Sequence, residues 1–178
     1  MRAFIIGLSD GLHRAARGVA IAAVAGMFVT VMIQVVARYG FSSPPVWTED
    51  VARYMMVWTG LLGATLSFKT RSDAVLMASV FPDRPHWAGR LAEAVQAAAV
   101  LTFVLPTLYF CFIGLRGGFS RGYLARQAAL TMDTLGIAMV WIAVVVPLSM
   151  IIILIHLAAR WAEDPDRTYR TKAQTGLD

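Results

Sequence analysis

The chain has 178 residues, 58% of them hydrophobic and only 15% charged, with a mean hydropathy of +0.63. A soluble domain carries roughly 45–50% apolar and about 25% charged residues, so much of this surface does not face water. A net charge of +5 and a pI near 9.9 would suit a nucleic-acid binder, but the charges lie between long apolar runs. That is the arrangement of loops flanking membrane spans, and no nucleic-acid partner is implied. The single cysteine, Cys111, excludes intramolecular disulfides, a CxxC redox pair and a multi-cysteine zinc site.

Taken in chain order, residues 1–17 place Phe4, Ile5, Leu8 and Leu12 on one helical face, the pattern of an interfacial helix. Residues 18–37 follow as a first span, broken only by the neutral Gln34. This run exceeds the apolar region of a secretory signal, so a retained span is expected. Ser42-Ser43-Pro44-Pro45 forces a turn. Thr48 is placed to cap the next helix, with Glu49 and Asp50 in its positive first turn.

A second span is expected over residues 51–68, a third over 94–115 and a fourth over 134–159. The fourth would extend about 39 Å against a hydrocarbon core of roughly 30 Å, so it must tilt, kink or protrude. Pro106 and Pro147 are positioned to kink the last two. Between the second and third spans, the short apolar stretch 74–81 with Pro82, Pro85 and Trp87 reads as a further interfacial segment. The expected fold is all-α: a single membrane domain over residues 1–178 with four transmembrane helices and additional interfacial helices.

Orientation follows from the basic residues. Eleven of them (Arg2, Arg14, Arg17, Lys69, Arg71, Arg84, Arg90, Arg160, Arg167, Arg170 and Lys172) fall on one side. Five (Arg38, Arg53, Arg116, Arg121 and Arg126) fall on the other. The positive-inside rule then puts both termini in the cytoplasm.

The catalytic inventory is poor. Charge within a span marks ion or substrate paths, yet only Glu93, at the start of the third span, and His156, near the end of the fourth, approach that description. Both are close to an interface. No two histidines can be placed facing each other across the bilayer core, so haem ligation is not supported. No Ser-His-Asp set, HExxH or P-loop occurs, and neither a catalytic residue, a cofactor nor a metal site is expected.

Small residues at helical spacing are more prominent: Gly18, Ala22 and Gly26 in the first span, then Gly60 with Ala64 and Gly63 with Ser67 in the second. Such ridges let helix backbones approach in lipid. The cluster Trp47, Glu49, Asp50, Arg53 and Trp58 is the densest in polar and aromatic groups, with Glu49 and Arg53 in the favourable i, i+4 order.

At this cluster the sequence resembles a known family. Pro45-Val46-Trp47-Thr48-Glu49-Asp50-Val51-Ala52-Arg53-Tyr54, continued by Trp58 and Leu61-Leu62-Gly63-Ala64, is similar to the signature of the small permease (DctQ-like) subunit of tripartite ATP-independent periplasmic (TRAP) transporters. Gln34-Val35-Val36-Ala37-Arg38-Tyr39 before it also resembles the family. So does Thr134-Leu135-Gly136-Ile137-Ala138-Met139-Val140-Trp141, followed by Pro147, in the last span. Arg71-Ser72-Asp73-Ala74 departs from the Gly and His common in members, and Ala138 stands where a Pro is frequent.

The resemblance implies a multi-pass protein of the bacterial inner membrane that is not an enzyme. Its implied partners are a large permease subunit (M) and a periplasmic substrate-binding protein (P), with lipid around all. Import of a carboxylate would be driven by an ion gradient, usually sodium. The large subunit would hold the substrate and ion sites, and the small one would scaffold it. Trp47, Glu49, Arg53 and Trp58 are then expected at outer-side subunit contacts, and Gly60, Gly63 and Ala64 where helices approach closely. Two other readings remain open on the residues alone. A self-sufficient homo-oligomeric transporter would need an essential acid within a span, and a four-helix redox enzyme would show a haem absorption band.

Overall fold

A computed structural model describes residues 2–70, 86–114, 117–132 and 134–162. Four long helices carry the fold: α1 (Arg2–Gly40), α2 (Trp47–Thr70), α3 (His86–Phe112) and, after the short α4 (Tyr123–Ala128) and α5 (Val140–Ala143), α6 (Val145–Ala162). Among the described residues the only β pairing is an isolated bridge between Thr131 and Ala138. The architecture is therefore all-α, as expected.

α1 is one unbroken helix of 39 residues. At 1.5 Å per residue it is about 58 Å long, nearly twice a hydrocarbon core, so the segment expected as a separate interfacial helix continues the span. With no proline, nothing in residues 2–40 interrupts the ladder. It stops where Ser42 takes a left-handed φ of 54° and the Ser43 N–H turns back to the Ala37 carbonyl at 3.2 Å. Pro44 and Pro45 then carry the chain to α2.

α1 packs along α2, and α6 packs against α1, α2 and α3, so α3 joins the bundle through α6. The shared core is small: Ala16 and Ala20 of α1, Leu62 of α2, and Val145 and Ile152 of α6. Polar contacts fix which helix ends are neighbours. Lys69 Nζ lies 2.6 Å from Asp10 Oδ1, Ser9 bonds His156, and Arg160 donates to Gln96 Oε1 at 3.2 Å while its guanidinium covers the Phe68 ring. The start of α1, the end of α2, the early part of α3 and the end of α6 thus gather at one end of the bundle, here the terminal end. The opposite, signature end carries Trp47 and residues 117–132 and 134–139.

Three helical stretches are long and apolar enough to cross a membrane: Ala3–Gly40, Ala94–Phe112 and Val140–Trp161. The second expected span, α2, has the length at 24 residues but is more polar, with Glu49, Asp50, Arg53 and Lys69 along it. The last span begins later than residue 134. Gly136 takes φ 63°, and Met132, Ile137, Leu130 and Met139 close a short hairpin through the bonds Met132 N–H to Ile137 O and Met139 N–H to Leu130 O, both 2.9 Å. A helix cannot form across that turn, so residues 134–139 belong to it.

Pro147 does interrupt the last span. It has no N–H for the Ala143 carbonyl, and α5 gives way to α6 at Val144, whose backbone stays in the right-handed helical region. Pro106 lies inside α3, which remains one helix. The expected interfacial stretch 74–81, with Pro82 and Pro85, lies outside the described residues, as do the side chains of Trp87 and Glu93 and the tail from residue 163.

Candidate subunit-contact face

The entry to α2 is built by its own residues. Thr48 is fully buried, and its hydroxyl donates to the Pro45 carbonyl at 2.6 Å. It therefore closes the turn from within the first helical turn, rather than accepting a backbone N–H as the expected N-cap. Trp47, 40% exposed, is the first helical residue.

Glu49 Oε1 meets Arg53 Nη2 at 2.8 Å, confirming the i, i+4 pair. Both side chains are more than 60% exposed, so in water this pair stabilises the helix by well under about 1 kcal/mol. Asp50 does more. Its Oδ2 accepts the Thr134 hydroxyl at 2.6 Å, and its Oδ1 is 3.9 Å from Arg53 Nη1. It thereby joins α2 to the hairpin that precedes α5. Sequence reasoning counted Asp50 as a first-turn acid and missed this tie, because its partner lies 84 residues away.

Trp58 turns inward. It is half-buried and packs against the Ala16–Ala20–Leu62–Val145–Ile152 cluster. Gly60, Gly63 and Ala64 do the reverse. A Cβ added at Gly60 or Gly63 would meet nothing within 4 Å, and Ala64 is exposed. Glu49, Arg53, Val57, Gly60 and Ala64, with Met56 beside them, form one exposed stripe at i, i+3 and i+4 spacing.

Close helix approach within the chain falls to another glycine, Gly26, where an added Cβ would stand 2.7 Å from Met55 Sδ of α2. Of the two glycines on the α1 ridge, this one meets its neighbour, whereas Gly18 meets nothing within 4 Å. The two glycine ridges thus do different things: α1 uses Gly26 to seat α2, and α2 leaves Gly60, Gly63 and Ala64 open on the far side.

Among the described residues no group of three or more His, Cys, Asp or Glu side chains could hold a metal. His13 and His156, 143 residues apart in sequence, lie together with ring centroids 6.4 Å apart, at the terminal end of the bundle. Cys111 is buried and has no disulfide.

Long apolar helices, an antiparallel bundle with a thin core and an uncovered stripe on α2 define a polytopic membrane protein built to lie against other helices or lipid. The family model for the DctQ component of tripartite ATP-independent periplasmic transporters matches residues 27–166, and the chain belongs to that family. It is also 38% identical, over 61 residues, to a Haemophilus influenzae protein named as a TRAP transporter small permease. That stretch covers 34% of this chain and spans about 38% of the length of the relative. The family match begins within α1 and ends just past α6.

Proposed function

We propose that this chain scaffolds and anchors the large permease subunit of a TRAP transporter in the bacterial inner membrane, with both termini cytoplasmic. The complex would import a carboxylate, delivered by a periplasmic binding protein and driven by an ion gradient, sodium in the first instance. The observation that carries this reading is the α2 stripe. In a chain of this family, an exposed row running from the Glu49–Arg53 pair through Val57 to Gly60 and Ala64 has no helix of the described residues on it. Helix association in lipid depends on close packing at small residues, and this row offers it.

A static brace also suits the residues. The ion pairs found among the described residues, Glu49–Arg53, Asp50–Arg53 and Asp10–Lys69, lie at the two ends of the bundle, and the hydrophobic cluster Ala16, Ala20, Leu62, Val145 and Ile152 lies between α1, α2 and α6. Moving an ion or a carboxylate through the bilayer calls for polar groups at mid-depth.

Affinity purification of the chain from its native membranes in mild detergent, with mass spectrometry of what stays bound, tests the reading. A much larger polytopic protein in stoichiometric amount is the expected result. A homo-oligomer reproducible across detergents, or transport by this chain alone in liposomes, would overturn it.

A further inference from the structure

At the terminal end, polar side chains that a scaffold does not require come together. Ser9 and His156, 2% and 1% exposed, share a hydrogen bond of 2.8 Å between Oγ and Nδ1. The His13 ring stands edge-on to His156 at 6.4 Å, the planes inclined by 62°. Each ring keeps one buried nitrogen, Nδ1 of His13 and Nε2 of His156, without a hydrogen-bond partner among the described residues.

Charged groups facing the pair come from each element around it. α1 supplies Asp10 and Arg17, with Arg14 beside Asp10, and α2 supplies Lys69. α6 carries Arg160 one turn beyond His156, and α3 presents Gln96, to which Arg160 is bonded. Asp10 is the acid in this set, and Lys69 already holds it at 2.6 Å.

We propose that the His13–His156 pair is an acid-sensitive latch that fastens the first turns of α1 to α6. With both rings neutral, each needs only one N–H, and Ser9 completes the contact across the helices. A proton added to either ring creates a second N–H with no acceptor among the described residues, and a cation beside Lys69 and Arg17 that Asp10, already committed to Lys69, cannot offset. An imidazole released to water takes up its proton between about pH 5 and 8, whereas the closed contact accommodates only neutral rings, so acidification favours the open arrangement. The rest of α1 stays seated, because Ala16, Ala20 and the Gly26–Met55 approach hold it independently.

The test is a distance measurement on the full chain in lipid nanodiscs. Nitroxides go on cysteines replacing Phe4 and Trp161, both well exposed, in a Cys111→Ser background. At about pH 8 one short distance is expected, and at about pH 5.5 a second population longer by roughly one helical turn, about 5 Å. His156→Gln still offers Ser9 a partner but cannot gain charge, and is expected to keep the short distance at both pH values. His13→Gln, read in the same way, is expected to shrink the long population and serves should His156→Gln not insert. A pH-invariant wild type, or an unchanged response in the histidine variants, would overturn the latch.

Discussion

Asp50 Oδ2 accepts a hydrogen bond from Thr134 Oγ1 at 2.6 Å, and this contact joins the two stretches that most resemble the family's signature. Asp50 stands in the first turn of α2 and Thr134 in the hairpin before α5, so their bond sets the depth of one against the other at the signature end. The carboxylate is charged and only about a quarter exposed at 23%, which makes the bond stronger than a surface contact between neutral groups.

Asp50→Ala is therefore expected to destabilise the chain by about 1–3 kcal/mol, and Thr134→Val by a similar amount. The double variant should lose little more than either alone, because the two groups share one interaction. Unfolding by detergent titration in mixed micelles measures all three. Strict additivity would show that the bond is not formed in the bilayer.

Glu49→Ala is expected to leave stability unchanged to within about 1 kcal/mol, since its pair with Arg53 is exposed. A loss as large as that of Asp50→Ala would mean that Glu49 is shielded from water, and so point to a covering partner even in the purified chain.

The two glycine ridges give opposite forecasts. Gly63→Leu and Gly60→Leu should leave the isolated chain folded, because nothing lies within 4 Å of the new Cβ and leucine is the better helix former by roughly 0.8 kcal/mol. The same substitutions should abolish co-purification of a larger partner. Gly26→Leu should instead unseat α1 from α2, where Met55 already stands against the backbone. Detergent-titration midpoints and partner yield, measured on the same three variants, separate the two ridges. Unchanged partner yield for both α2 variants would remove that face from the interface.

Gly136→Ala tests the hairpin that delays the last span. The added Cβ meets no neighbour, so its cost comes from the backbone alone: φ is 63°, a left-handed conformation that costs an L residue about 1–2 kcal/mol. A loss of that order in the micelle titration is expected, and a gain would show that helix α5 extends back through this position in the membrane.

Ser9→Ala should cost about 0.6–2 kcal/mol at neutral pH, the range for a hydrogen bond between membrane helices. It removes the partner of His156 Nδ1 and leaves that ring with no hydrogen bond among the described residues. The change should concentrate at the start of α1, and hydrogen exchange over residues 3–17 is the measurement that locates it.

Local chemistry made much of this protein legible. Charge-free runs marked the first and third spans, Ser42-Ser43-Pro44-Pro45 marked the turn before α2, and the Glu49–Arg53 spacing predicted its ion pair. The last span was misjudged at its start because residues 134–139 are apolar enough for a helix, and hydropathy does not register that Gly136 adopts a positive φ. Residues 1–17 were expected as a helix separate from the first span, and the structure continues them into it as one helix. Phe4 and Leu8 do share an apolar side, but it is exposed, and the side that meets the bundle carries Ser9 and Ala16.

Features that depend on neighbours along the chain were readable from its residues: an all-α membrane protein, its helix-breaking turns, its charge asymmetry and the family resemblance that the comparison bore out. Tertiary structure alone decided which small residues are used within the chain and which are left open, and which polar groups meet. Gly26 and Gly60 look alike in a helical pattern, and only the position of Met55 tells them apart. Ser9 and His156 stand 147 residues apart, as Asp50 and Thr134 stand 84 apart. Spacing within one helix says which residues share its face, but which helix covers that face depends on how the helices pack, and that is a property of the whole bundle.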